Sequence, residues 1–244
     1  MSKEHFRKKN KARSSEGLFL DSWSGLSEYI ARKPERIKRI ECPEKELDRL
    51  SKMLEGLAQK IEVIPSSESL RVFVKEDFQS EIDLEQTSYR DRDVLLALDH
   101  ITDTRNLGAI IRSAAFFGIR SIVVPSKRQA PIAQGTLSTC QGALAHTNVF
   151  SVVNLVRTLR ALKKQGFWIV GADMGGEPMD RYDTKFDKVV LVMGSEEKGL
   201  SRIVRAECDV IVSIPGSDSG VESLNVAVAS GILIQSFTKS FLSI

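Results

Sequence analysis

The chain has 244 residues, 42% hydrophobic and 27% charged, with a formal net charge of +3. That length suits one large domain or two modest ones with a real core, and the composition excludes fibrous and disordered classes. The longest apolar runs, such as 189–193, fall far short of the roughly 20 residues a bilayer crossing needs, so no membrane span is expected.

Residues 1–16 read as a basic disordered arm, with six Lys/Arg between Lys3 and Arg13 against the single Glu4. The arm lacks the apolar stretch of a secretory signal, and Glu4 and Glu16 argue against a mitochondrial transit peptide, so a cytoplasmic location is expected. Residues 17–75 look like a small α/β domain. Trp23, Leu26, Tyr29 and Ile30 recur at helical spacing, and 37–40 reads as a short strand. Leu47, Leu50, Met53, Leu54 and Leu57 place a helix over 44–60, and strands at 61–64 and 70–74 close the domain. Arg32, Lys33, Arg36, Lys38 and Arg39 form a local basic cluster of the kind phosphate contacts require, or else a solvated charged face. The acidic stretch 76–92 is the natural linker.

From Asp93 the pattern changes to alternating β and α. Apolar runs at 94–98, 121–124, 150–153, 168–172, 189–193 and 210–214 suit buried parallel strands. Helical stretches follow at 107–117, 131–141, 154–165, 200–206 and 223–237. Such a mostly parallel sheet binds ligands where the carboxyl ends of its strands meet the following loops.

Three segments stand out there. In the first, a polar loop at 99–106, ending in Asn106, leads into a helix whose only charge from 107 to 117 is Arg112. A helix apolar all round is buried, and a charge on it is costly without a partner. In the second, Gly194 ends a strand, where a ligand can approach the backbone closely, and Glu196 is a candidate counter-ion for Arg112. In the third, a Gly/Ser/Pro-rich loop after Ile214 enters the final helix through Ser223, Leu224 and Asn225. Ser223 is a candidate N-cap, and Asn225 falls in the first turn.

Other chemistries fail on the residues. Cys42, Cys140 and Cys208 form no C-x-x-C pair, and His5, His100 and His146 have no metal spacing, so no metal is expected. No Walker A or nucleophile-elbow sequence occurs, and 171–176 reads as a turn rather than a dinucleotide fingerprint.

Taken in this order and spacing, the three segments resemble the motifs of the SpoU/TrmH branch of knotted (SPOUT) methyltransferases, over about 93–237. Residues 18–74 are more faintly similar to the ribosomal-protein-like substrate-binding domain of many members. The segment beginning Asn154-Leu-Val-Arg is similar to one in members acting on large-subunit ribosomal RNA. The resemblance implies a C-terminal α/β domain with a trefoil knot and a parallel sheet, preceded by a small α/β substrate-binding domain. It also implies a homodimer, and S-adenosylmethionine held by Gly194, Ile214 and Leu224. Asn106, Arg112, Glu196, Ser223 and Asn225 would form the catalytic constellation.

The implied activity is 2′-O-methylation of an RNA ribose, on ribosomal RNA rather than tRNA. Because a guanidinium seldom gives up its proton, Arg112 is expected to bind phosphate and stabilise a developing alkoxide rather than act as a base. The sequence departs from the family pattern at Thr104, where proline is usual, at Glu197, where glycine is usual, and in a longer loop at 216–222. Alternatives are a tRNA ribose methyltransferase and a non-catalytic RNA-binding or ribosome assembly factor.

Overall fold

The computed structural model describes residues 17–182, 186–217 and 223–239. The basic arm and most of the 216–222 loop lie outside the described residues. The chain divides into two compact units after Asp77.

The first unit is a four-stranded sheet, β1 (Phe19–Leu20), β2 (Ile37–Pro43), β3 (Glu62–Ser66) and β4 (Arg71–Val74), in the order β1-β4-β2-β3. Helix α1 (Trp23–Arg32) is capped by the Ser22 side chain, which accepts from Gly25 N at 3.1 Å, and it buries Leu26 and Tyr29 completely. Helix α2 (Leu47–Leu54) is much shorter than the leucine spacing predicts. Glu55 is extended and Gly56 lies at φ 83°, a left-handed conformation suited to glycine, so the chain turns away before Leu57. Much of the basic cluster is engaged internally: Arg36 lies 3.9 Å from Glu76, and Arg39 lies 3.2 Å from Glu41 and 3.9 Å from the Phe73 ring centroid.

The second unit begins inside the expected linker. Helix α3 (Glu81–Glu85) opens with a capping box between Ser80 and Asp83, and its Leu84 is buried in the unit's core. Residues 78–92 therefore belong to this unit's fold. Six parallel strands follow in the order β10-β8-β9-β5-β6-β7: β5 (Asp93–Leu98), β6 (Ser121–Pro125), β7 (Asn148–Val152), β8 (Trp168–Pro178), β9 (Lys188–Met193) and β10 (Val210–Ser213). Every residue of β5 and β6 is buried, which explains their unbroken apolar runs.

The segment 171–176, read as a turn, is strand. Strand β8 runs on to Pro178, and its register against β10 jumps between Ile211 and Val212. A side chain on Gly176 would lie 2.5 Å from the carbonyl carbon of Val212, so its glycine serves strand contact. Helices α4 (Thr104–Phe116), α5 (Gln134–Cys140), α6 (Leu155–Lys164), α7 (Arg202–Arg205) and α8 (Val226–Thr238) connect and cover the sheet, with α4 packed on both α5 and α8. Among the described residues no helix is long and apolar enough to cross a membrane.

Candidate active site

A parallel sheet puts all its carboxyl ends on one edge, and the three singled-out segments leave from β5, β9 and β10 there. Helix α4 starts after Asp103, whose carboxylate accepts from Arg105 N at 2.6 Å and Asn106 N at 3.2 Å. Those two backbone donors hold the Asp103 carboxyl below the usual range. Thr104 occupies the first helical position, where proline is favoured for its fixed φ but not required, and the Asp103 cap starts the helix without it.

Helix α8 starts in the same way. The cap is Asn225 and not Ser223: its Oδ1 accepts from Ala227 N at 2.9 Å and from Val228 N at 3.4 Å. With the oxygen committed to the helix, Nδ2 must face the other way. It donates to Glu196 Oε1 at 2.5 Å and to Asn106 Oδ1 at 3.2 Å, while Asn106 Nδ2 donates to the same Glu196 oxygen at 2.9 Å. One carboxylate thus joins segments separated by 90 and 29 residues in the chain.

The loop carrying Glu196 is tightly crossed. Ser195 N donates to Gly199 O at 3.0 Å, and Gly199 N donates to Ser195 O at 2.9 Å. A Cβ at Gly194 would fall 2.1 Å from the Gly199 carbonyl carbon, so glycine is required by the loop's own backbone. The sequence expectation for Gly194 is close ligand approach; the structure shows a separate cause for its glycine, the backbone crossing itself.

The other expected residues are placed less centrally. Arg112 is exposed and makes no ion pair with Glu196 among the described residues. Helix α4 is not apolar all round; Arg112 and Phe116, four apart, share a solvent face on which Phe116 is 81% exposed. Ser223 is exposed and has no hydrogen bond to the other four among the described residues. Ile214 follows β10 half-buried, and Leu224, next to Asn225, is 47% exposed. Among the described residues no group of three metal-ligating side chains forms.

Sequence reasoning missed Asp99 and Arg128. Asp99 is 1% exposed, accepts from Ser201 N at 2.7 Å and lies against His100 Nδ1 at 2.6 Å. Together with Asn106 and Glu196, they line a cavity of about 370 Å³ at this edge. A carboxylate directly after an unbroken apolar strand run, on the edge where such sheets bind ligands, was a usable signal for Asp99.

The model of the SpoU rRNA methylase family matches residues 93–235, a span that includes all eight expected site residues. The chain belongs to that family. It is 44% identical over 147 residues to an uncharacterized tRNA/rRNA methyltransferase of Mycolicibacterium paratuberculosis, covering 60% of this chain and 47% of that protein. A Mycolicibacterium smegmatis protein of the same description is 46% identical over 142 residues, covering 58% and 45%. The chain thus spans less than half the length of these curated relatives in its match.

Among solved structures, a Porphyromonas gingivalis protein described as an RNA methyltransferase of the TrmH family is similar, with 25% identity, a TM-score of 0.69, and 93% and 91% of the two chains covered. The SpoU methyltransferase AviRb of Streptomyces viridochromogenes, solved with AdoMet, shares the fold, with a TM-score of 0.77 and 20% identity over 96% and 94%.

Proposed function

We propose that this SpoU-family chain transfers a methyl group from S-adenosylmethionine to a ribose 2′-hydroxyl of RNA, with large-subunit ribosomal RNA as the substrate. The observation that carries the reading is the convergence of Asn106, Glu196 and Asn225 on one carboxylate oxygen, which ties the three family motifs into one preorganised edge. The relatives described as tRNA/rRNA methyltransferases support the substrate class.

The residues fit the cofactor: the Gly194 loop, Ile214 and Leu224 all follow carboxyl ends of strands on one sheet edge, and Leu224, 47% exposed, offers apolar side-chain surface there to an adenosyl group. When bound, S-adenosylmethionine supplies an electrophilic methyl group. Arg112, exposed and unpaired among the described residues, binds an RNA phosphate and stabilises negative charge developing on the ribose oxygen. Glu196 holds Asn106 and Asn225 in register, and Ser223 orients the ribose.

A homodimer is part of the same reading. Phe116 on α4 and Val228 on α8, 81% and 53% exposed, are apolar side chains of the kind a second copy covers. The trefoil knot is also part of it, supported by the return of α8 from edge strand β10 to α4.

The test is methyl transfer from labelled S-adenosylmethionine to protein-free cellular RNA, fractionated by size, comparing the chain with Arg112→Ala. Label in large ribosomal RNA that vanishes in the variant is expected. Label in tRNA alone would replace the substrate. No label, together with no cofactor binding, would overturn the reading in favour of a non-catalytic RNA-binding factor.

A further inference from the structure

Backbone strain gathers around the cavity at the sheet edge. Among the described residues only His100, Arg128 and Gln141 are non-glycine residues at positive φ, and the first two, at 67° and 55°, line that cavity. A left-handed residue with a side chain is strained and persists only where its surroundings over-determine it. They do so here. Asp99 N donates to Met193 O at 2.7 Å, Ile101 N donates to Gln129 Oε1 at 3.1 Å, and Ala130 N donates to Ile101 O at 2.7 Å. These bonds clamp the segments carrying His100 and Arg128 to each other.

The clamp presents two side chains with unused hydrogen-bonding capacity. Because a carboxylate only accepts, the 2.6 Å contact with Asp99 puts a proton on His100 Nδ1 and leaves Nε2 as the outward edge. Arg128 makes no ion pair or hydrogen bond among the described residues. Ser201 Oγ, also in the lining, is buried without a partner. Ile101 and Val226, 2% and 6% exposed, supply apolar wall. Asn106 and Glu196 form another wall, so whatever enters abuts the motif residues.

A flat group with an apolar face and a polar edge matches this lining, and about 370 Å³ falls within the usual size of small-molecule sites. We infer that the cavity seats the base of the methyl-acceptor nucleotide, turned out of its stack, with Arg128 and His100 as the residues that read it. This rests on the ribose methyltransferase reading above.

The test uses glycine variants, because glycine adopts positive φ without strain and so removes the side chain while leaving the clamp intact. His100→Gly and Arg128→Gly should each raise KM for the RNA about tenfold or more with cofactor affinity essentially unchanged; melting temperature should hold in Arg128→Gly, whereas His100→Gly also takes a donor from buried Asp99 and should melt somewhat lower. Arg128→Lys, which keeps charge but loses the planar fork, should recover only part of the loss.

Activity is not the only readout. Titrating the chain with each nucleoside 5′-monophosphate should move the His100 imidazole NMR signals, whereas ribose 5-phosphate should not. Equal shifts with ribose 5-phosphate would make the cavity a phosphate site and overturn the inference, as would unchanged KM in both glycine variants. An inactive parent chain that binds no S-adenosylmethionine would instead sink the methyltransferase reading, and the nucleotide titration would still judge the cavity independently.

Discussion

Gly194→Ala is the sharpest test of how the site is built. The added Cβ would meet the Gly199 carbonyl carbon at 2.1 Å, its oxygen at 2.3 Å and Leu200 N at 2.3 Å. All three are backbone atoms, so no rotamer change relieves the clash and the crossing must open. Opening severs the paired bonds between Ser195 and Gly199, at about 0.5–1.5 kcal/mol each, and adds an overpacking cost of about 1–3 kcal/mol. The sum, about 2–6 kcal/mol, corresponds to a fall in melting temperature of roughly 4–24 °C for a unit of this size. Glu196 lies two residues on, so its bonds to Asn106 and Asn225 should loosen together. Thermal unfolding by circular dichroism, paired with the NMR signals of those two side-chain amides, measures both effects. A melting temperature within about 2 °C of the parent and unmoved amide signals would refute the reasoning.

Gly108→Ala tests the packing of α4 on α5: its Cβ would sit 2.6 Å from Thr136 O and 2.8 Å from Thr139 Cβ, so urea unfolding should show a loss of about 1–3 kcal/mol. An unchanged midpoint would contradict the contact. Burial pushes the Glu76 carboxyl above its ordinary value of 4.5, so the folded first unit holds that proton more tightly than the unfolded chain does. The stability this gives is full below pH 4.5 and is lost as pH rises above it. Glu76→Gln keeps an oxygen for the Tyr29 hydroxyl, now 2.7 Å away, and should gain on the parent in unfolding free energy as pH rises above 4.5; a flat or reversed difference would count against it. Burial also pushes the Cys208 thiol up to about 12, so at pH 8 iodoacetamide should label it roughly a thousandfold more slowly in the folded chain than in urea, read by peptide mass spectrometry. Comparable rates would show the thiol to be accessible and ionised.

Much of the second unit follows from short-range pattern. Short unbroken apolar runs such as that of β5, alternating with helical stretches, read as strands buried on both faces, and the polar loops after β5, β9 and β10 then share one edge because parallel strands end together. The three motifs, their order and the residues Asn106, Glu196 and Asn225 were legible in the linear chain. What the linear chain could not decide is which of those residues meet. Whether Glu196 faces Arg112 or the two asparagines depends on the rotation of α4 and on Asn225 spending its oxygen on the α8 cap, both set by packing between segments far apart in sequence. The left-handed backbone at His100 and Arg128 is likewise invisible to residue preference, since neither is glycine; it exists because bonds from Met193, Gln129 and Ser201 hold the loop that way. Local propensity and periodicity determined the elements and the edge on which chemistry sits, whereas long-range hydrogen bonds, which sequence spacing does not encode, decided how the site is joined.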